Sequence, residues 1–163
     1  NSNRIRLSKI AASPRIVEGD VMDSNRLEAA MVGQDVIYAN LSGELGEQAQ
    51  AIIEAMRKTK VSRLIFVSSM GIYDEVLGER YGKILDPYRE AARHVESSGL
   101  NYTIVRPAWL NDDKVVSYGT TTKGENFKNS SESVSRRSVA DLIVKLITDT
   151  GVGIRESLGV HKK

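Results

Sequence analysis

Two serines and a tyrosine follow the most apolar short stretch of the sequence. Residues 64–67 (Leu-Ile-Phe-Val) form an unbroken apolar run, Ser68, Ser69 and Gly71 come just after it, and Tyr73 lies four residues beyond Ser69. Such a run favours a strand buried on both faces of a parallel sheet. Ligands of open α/β sheets bind beyond the carboxyl ends of the strands, so these hydroxyl groups are well placed for binding or catalysis. The alternative is that the serines only cap backbone groups where the strand ends.

The composition limits the classes of function. The 163 residues suit one domain with its own core. The absence of cysteine excludes thiol catalysis and thiolate metal sites, and the isolated His94 and His161 do not form a zinc motif. The net charge of +2 is dispersed, which argues against nucleic-acid binding. No apolar run reaches the roughly 20 residues of a membrane span, so a soluble cytoplasmic protein is expected.

Strand and helix patterns alternate along the chain and must position these side chains. The apolar patterns predict strands at 16–17, 36–39, 64–67, 101–106 and 157–160, and helices at 4–10, 26–32, 47–58, 88–97 and from 138 onward. The short connections favour right-handed crossovers and parallel pairing. We therefore predict an α/β fold with a doubly wound (Rossmann-type) parallel sheet in three α/β/α layers.

Local signals define several element ends. Asn25 with Glu28, and Ser138 with Asp141, match the capping box at a helix start. The last strand, 157–160, is expected to complete the sheet edge. Residues 111–133 are polar and irregular, which is typical of either a disordered segment or a functional lid.

Five segments occur in the order found in one known protein family. They are 16–21 (IVEGDV), 36–40 (VIYAN), 64–73 (LIFVSSMGIY), 98–107 (SGLNYTIVRP) and 138–141 (SVAD). Together they resemble the NAD(P)-binding, NmrA-like branch of the atypical short-chain dehydrogenases, which includes flavin and biliverdin reductase-like proteins. Segment 98–107 is the most specific part of this resemblance.

The resemblance implies a set of cofactor-binding residues. Those beside the adenine and adenosine would be Asp20, Val21, Ala39, Asn40 and Leu41, and those near the nicotinamide would be Ser68, Ser69, Pro107, Ala108 and Trp109. These residues follow predicted strands, so one sheet edge would collect them. Asp20 and Asn40 as turn residues, and Trp109 as ordinary packing, are the alternatives.

One departure from the family concerns the cofactor phosphates. Nothing before Ile16 matches the family's strand, glycine-rich turn and helix, which hold the pyrophosphate. We therefore expect residues 1–163 to be a single NAD(P)-binding domain that is incomplete at its N-terminus. Arg4 and Arg6 are candidates for the NADP 2′-phosphate, with solvated surface charge as the alternative.

A second departure concerns proton transfer. The Tyr-x-x-x-Lys pair of the family is absent, with Ile84 at the tyrosine position and Tyr88 at the lysine position, whereas Ser69 matches the family's carbonyl-polarising serine. Ordinary carbonyl reduction is therefore not expected. We expect an NADPH-dependent reductase of a flavin- or quinone-like acceptor, with NADP preferred over NAD and Ser69 as the catalytic residue. The alternative is a non-catalytic module that senses NAD(P) and regulates a partner, and the sequence leaves a homodimer open.

Overall fold

The computed structural model describes residues 14–149 and 151–163 of the chain. The helices are α1 (Ser24–Met31), α2 (Leu45–Thr59), α3 (Asp86–Ser97) and α4 (Arg136–Thr148), and a short 3₁₀ helix (Gly82–Leu85) precedes α3. The strands are β1 (Val36–Ala39), β2 (Arg63–Val67), β3 (Asn101–Pro107), β4 (Leu110–Asn111), β5 (Gly119–Thr121), β6 (Val134–Ser135) and β7 (Glu156–His161).

The main sheet has the strand order β1-β2-β3-β7-β5. Strands β1, β2, β3 and β7 are parallel, and β5 runs antiparallel beside β7. The short β4 and β6 form a separate parallel pair. The predicted α/β fold with a mostly parallel sheet is therefore confirmed.

Strand β2 is buried on both of its faces, as its apolar run predicts. Leu64 and Phe66 belong to a core that also contains side chains of α1, α2 and α3. Ile65 points to the other face and packs in a second core with α4 side chains, including Leu142 and Leu146. This alternation places helices on both sides of the sheet.

A buried arginine connects several segments at the amino-terminal end of the sheet. Arg63, 4% exposed, donates from Nη1 to the Asn101 carbonyl at 3.0 Å and to Thr103 Oγ1 at 2.8 Å. Its Nη2 donates to the carbonyls of Leu146 at 3.3 Å and Val152 at 3.1 Å. One side chain thus joins β2, β3, the end of α4 and the turn before β7.

The strand predicted at 16–17 is wrong. Ile16 and Val17 are exposed and form no strand. Two apolar residues are too few to define a strand, and within the described residues β1 pairs only with β2. The predicted helix at 4–10, with Arg4 and Arg6, lies outside the described residues.

Both predicted capping boxes place the helix start too late. Helix α1 is capped by Asp23, whose carboxylate accepts from the Arg26 N–H at 3.2 Å, so Asn25 is already helical. Helix α4 is capped by Ser135, whose Oγ accepts from the Ser138 N–H at 3.0 Å. In both cases an earlier side chain already occupies the capping position.

The last strand does not complete the sheet edge. Strand β7 lies between β3 and β5, and the edge is β5, which arises from the irregular stretch 111–133. The two strands lie so close together that a β-carbon at Gly119 of β5 would collide with His161 of β7, and one at Gly159 of β7 would collide with Thr121 of β5. Close backbone approach of this kind requires glycine.

The described residues contain no helix with the length and apolarity needed to cross a membrane. In that same part of the chain, no cluster of three or more His, Asp or Glu residues could hold a metal ion.

Candidate active site

The carboxyl ends of β1, β2 and β3 open into a cavity of about 430 Å³. Its lining includes the predicted site residues Asn40, Leu41, Ser68, Ser69, Pro107, Ala108 and Trp109. Parallel register produces this arrangement, since Ala39 is level with Phe66 and Phe66 with Ile104. The structure therefore brings together the predicted residues that follow these strands at one sheet edge, where open α/β sheets bind ligands.

Backbone hydrogen bonds continue past the strand ends and hold this edge in place. The Ser68 N–H donates to the Val105 carbonyl at 2.8 Å, and the Met70 N–H donates to the Pro107 carbonyl at 3.2 Å. The Ala108 N–H donates to the Val160 carbonyl at 2.8 Å. The serine-bearing loop is thus fixed against β3, and β3 against β7.

The two serines differ in their surroundings. Ser68 is a buried residue of the cavity lining. Its Oγ has no hydrogen-bond partner within the protein. Ser69 is half-buried, and its Oγ donates to the Met70 carbonyl at 3.1 Å. An unpartnered buried hydroxyl calls for a partner, because leaving it unsatisfied costs about 1–3 kcal/mol. Of the two, Ser68 therefore has the stronger need for a ligand.

Three predicted cofactor residues do not reach this cavity. Asp20 is exposed, and its Oδ1 accepts from the Met22 N–H at 2.9 Å, as a turn residue does. Val21 and Ala39 both pack against the first core. The geometry thus supports the alternative given for Asp20, and Ala39 is buried in the first core.

A second cavity, of about 250 Å³, adjoins the first. The two share Ser69, Tyr88, Pro107, Ala108 and Trp109, and the second adds Met70, Tyr81, Ile84 and Leu85. Most of these added side chains are apolar. The Trp109 indole is 60% exposed and borders both spaces, so it is not ordinary core packing.

The residues at the positions of the family's tyrosine and lysine lie at these cavities. Tyr88 borders both spaces, and Ile84 borders the second one. Ile84 carries no proton to transfer, and Tyr88 cannot supply a positive charge. The site therefore lacks the usual acid–base pair although it retains the place for one.

A buried ion pair that was not predicted from the sequence braces the loop that follows Ser69. Glu75 accepts from the Gly71 and Tyr73 N–H groups at 3.0 and 2.9 Å and is paired with Arg106. Arg106 also donates to Ser157 Oγ at 3.0 Å. The signal was a charged residue within the apolar strand 101–106, since a fully buried guanidinium needs buried acceptors and a carboxylate is the acceptor that also balances its charge.

The residues at the cavity suit part of a dinucleotide. The amide of Asn40, the unpartnered Ser68 hydroxyl and the Arg136 guanidinium are polar groups on its lining. Arg136 is held by Asp112 at 2.8 Å, so it is only partly available. The described residues contain no counterpart of the glycine-rich turn that holds the pyrophosphate in the family.

The parallel sheet, its crossover helices and the cavity at the strand ends define a Rossmann-type nucleotide-binding protein. A family model described as NAD(P)H-binding matches residues 1–150. The chain belongs to this NAD(P)H-binding family. None of the curated proteins matches it.

Solved structures agree with this membership. A Rossmann-fold NAD(P)-binding family protein from Shigella flexneri is 44% identical, with a TM-score of 0.80, over 91% of this chain and 70% of that chain. A short-chain dehydrogenase/reductase from Veillonella parvula DSM 2008, in complex with NADP, is 26% identical with a TM-score of 0.80, over 90% of this chain and 71% of that one. ChuY, an anaerobillin reductase from Escherichia coli O157:H7, is 21% identical with a TM-score of 0.73 and covers 88% and 73% of the two chains, so it shares the fold.

Proposed function

We propose that this protein is an NADPH-dependent reductase of a small flavin- or quinone-like acceptor. The observation that supports this proposal is a pair of joined cavities that share Ser69, Tyr88 and Trp109. One cavity has polar groups at the strand ends, and the other is mainly apolar. A hydride can pass between two ligands only if their rings meet, and the shared lining is where neighbouring ligands would touch.

Each residue has a defined role in this proposal. Asn40, Leu41 and Ser68 contact the cofactor, and the Ser68 hydroxyl gains the partner that it otherwise lacks. Ser69 turns its hydroxyl from the Met70 carbonyl to the acceptor. Trp109 covers the junction of the two cavities and excludes water from it. The cofactor, when bound, supplies the hydride.

The preference for NADP is also part of the proposal. It is supported by the Veillonella parvula structure, which holds NADP. In this proposal Asp20, Val21 and Ala39 contact the adenine side of the cofactor, outside the cavity described above.

A non-catalytic NAD(P)-sensing module is the second candidate. The observation that favours it is the replacement of the acid–base pair by Ile84 and Tyr88, together with the Ser69 hydroxyl that is already engaged with Met70. A sensor would bind the cofactor and leave it unchanged.

Two measurements test these candidates in sequence. NADPH is titrated into the protein while the emission of Trp109, the only tryptophan, is followed, with calorimetry as a direct check. NADPH consumption is then measured with a panel of quinones and flavins. Saturable binding with turnover supports the reductase, binding without turnover supports the sensor, and no binding by either method contradicts both.

The Ser68→Ala variant tests the cofactor contact itself. We expect its NADPH dissociation constant to rise roughly 2- to 10-fold, the loss of one hydrogen bond. Ser97→Ala, an exposed serine on α3 away from the cavities, is the matched control. Equal affinities of the two variants would remove Ser68 from the site.

A further inference from the structure

The apolar cavity contains one phenol whose hydroxyl is buried without a partner. Tyr81 lines the space together with Met70, Ile84, Leu85 and Trp109, and its OH makes no hydrogen bond. A buried phenol hydroxyl usually finds a partner, because an unsatisfied one costs free energy. Its position on a cavity wall makes a ligand the natural partner.

The ring of Tyr81 is positioned by packing. It packs against both hydrophobic cores and therefore bridges the two faces of the sheet. It also lies directly on the backbone of Gly71, where an added β-carbon would come within 2.5 Å of Cε2. Gly71 belongs to the loop that begins with Ser69, so the phenol packs on the loop that carries this serine.

The rest of the cavity indicates what kind of ligand would fit. Ile84, 76% exposed, and the Trp109 indole, 60% exposed, offer apolar surface at the mouth that solvent would otherwise cover. A flat ring system can bury both. A hydrogen-bond acceptor on that ring would satisfy the Tyr81 hydroxyl as a donor.

We propose that the Tyr81 hydroxyl donates a hydrogen bond to a carbonyl oxygen of a planar quinone-type acceptor whose ring packs on Ile84 and Trp109. This assignment rests on the proposed reductase function and names the group that recognises its substrate. No sequence motif identifies Tyr81, since it lies three residues before the position of the family's tyrosine.

The phenol serves as a neutral donor. Burial, with the carboxylates of Glu79 and Glu75 nearby, raises the pKa of Tyr81 to about 12. The quinone takes one hydride from the reduced cofactor and one proton from water to become the hydroquinone, so the phenol keeps its own proton. Tyr81 thereby orients and polarises the carbonyl and is not consumed as an acid.

The test compares two probes that differ in their carbonyl groups. Binding of menadione and of methylnaphthalene is measured for the NADPH-free protein, the Tyr81→Phe variant and the control Tyr102→Phe. Tyr102 is half-buried outside both cavities. We expect Tyr81→Phe to weaken menadione binding roughly 3- to 10-fold, to leave methylnaphthalene binding unchanged and to keep NADPH affinity within about twofold.

Three results would overturn the assignment. They are no menadione binding to the unsubstituted protein, equal menadione affinity in the Tyr81→Phe and Tyr102→Phe variants, and equal weakening of both probes by Tyr81→Phe, which would indicate lost packing. The failure of the reductase proposal is seen separately. In that case the protein binds NADPH without oxidising it in the presence of menadione, while the binding comparison still decides the role of Tyr81.

Discussion

The Glu75→Gln substitution tests how the loop after Ser69 is held. Glu75 is 8% exposed, and its carboxylate accepts from the N–H groups of Gly71 and Tyr73, at 3.0 and 2.9 Å. It also neutralises Arg106, which is completely buried. Glutamine has nearly the same shape, so the substitution removes the charge and one acceptor without opening a cavity.

The expected loss of stability in the Glu75→Gln variant depends on the contacts that Arg106 retains. Its guanidinium would still donate to Ser157 and lie over the rings of Tyr73 and Phe127, at 5.1 and 5.9 Å from their centroids. Breaking a buried ion pair at one partner typically costs 3–5 kcal/mol, and the remaining contacts favour the lower end, about 3 kcal/mol. With a urea m-value of about 2 kcal/mol/M, the midpoint would fall by about 1.5 M.

Urea unfolding of the protein and of two variants provides the measurement. The matched control is Glu132→Gln, which breaks the exposed pair with Lys162 and should cost at most about 1 kcal/mol. If Glu75→Gln and Glu132→Gln lowered the midpoint equally, the buried pair would not support the loop and the reasoning would fail.

Three further outcomes are expected. Gly71→Ala and Gly78→Ala both place alanine at positive φ, +85° and +79°, but only at Gly71 does the added β-carbon collide with Tyr81. Gly71→Ala should therefore lower the melting temperature more than Gly78→Ala, and only Gly71→Ala should weaken menadione binding. Ser135→Ala should lower the free energy of unfolding, measured by urea denaturation, by about 1 kcal/mol, because α4 loses its N-cap. An unchanged free energy of unfolding would mean that water replaces the Ser135 hydroxyl at the cap. The pKa of Tyr81 is raised to about 12 in the folded protein, whereas it is about 10 in the unfolded chain. The contribution of Tyr81 to the free energy of unfolding is therefore complete below about pH 10 and is lost as the pH rises through about 12. Tyr81→Phe should therefore flatten the alkaline fall of the urea midpoint, and an unchanged slope would contradict this.

The main strands and helices could be predicted from the sequence because their apolar patterns are long or dense. The run 64–67 is buried on both faces, and the stripe of α4 places Leu142 and Leu146 in the second core. The position of the site followed from the same pattern, since parallel strands end at one edge. Asn40, Ser68 and Trp109 meet there for that reason.

Other features depend on tertiary contacts that no local pattern records. Strand β5 has three residues and no apolar alternation, and it forms because β7 offers it a pairing edge beside Gly159. Tyr81 lies in a charged loop, and its place in the cavity is set by packing on Gly71. Glu75 lies in the same charged loop, and only the fold places its carboxylate beside Arg106.

The arginine that joins β2, β3 and α4 lies at the amino-terminal end of the sheet, whereas the cavities lie at the carboxyl end. The sheet is thus anchored at the end opposite the candidate chemistry. Libraries randomised at Ser69, Ile84 and Trp109 should therefore retain mostly folded members, because none of these three side chains contributes to the Arg63 contacts. Substitutions at these three positions can therefore change the acceptor while leaving both the Arg63 contacts and the Glu75–Arg106 pair in place.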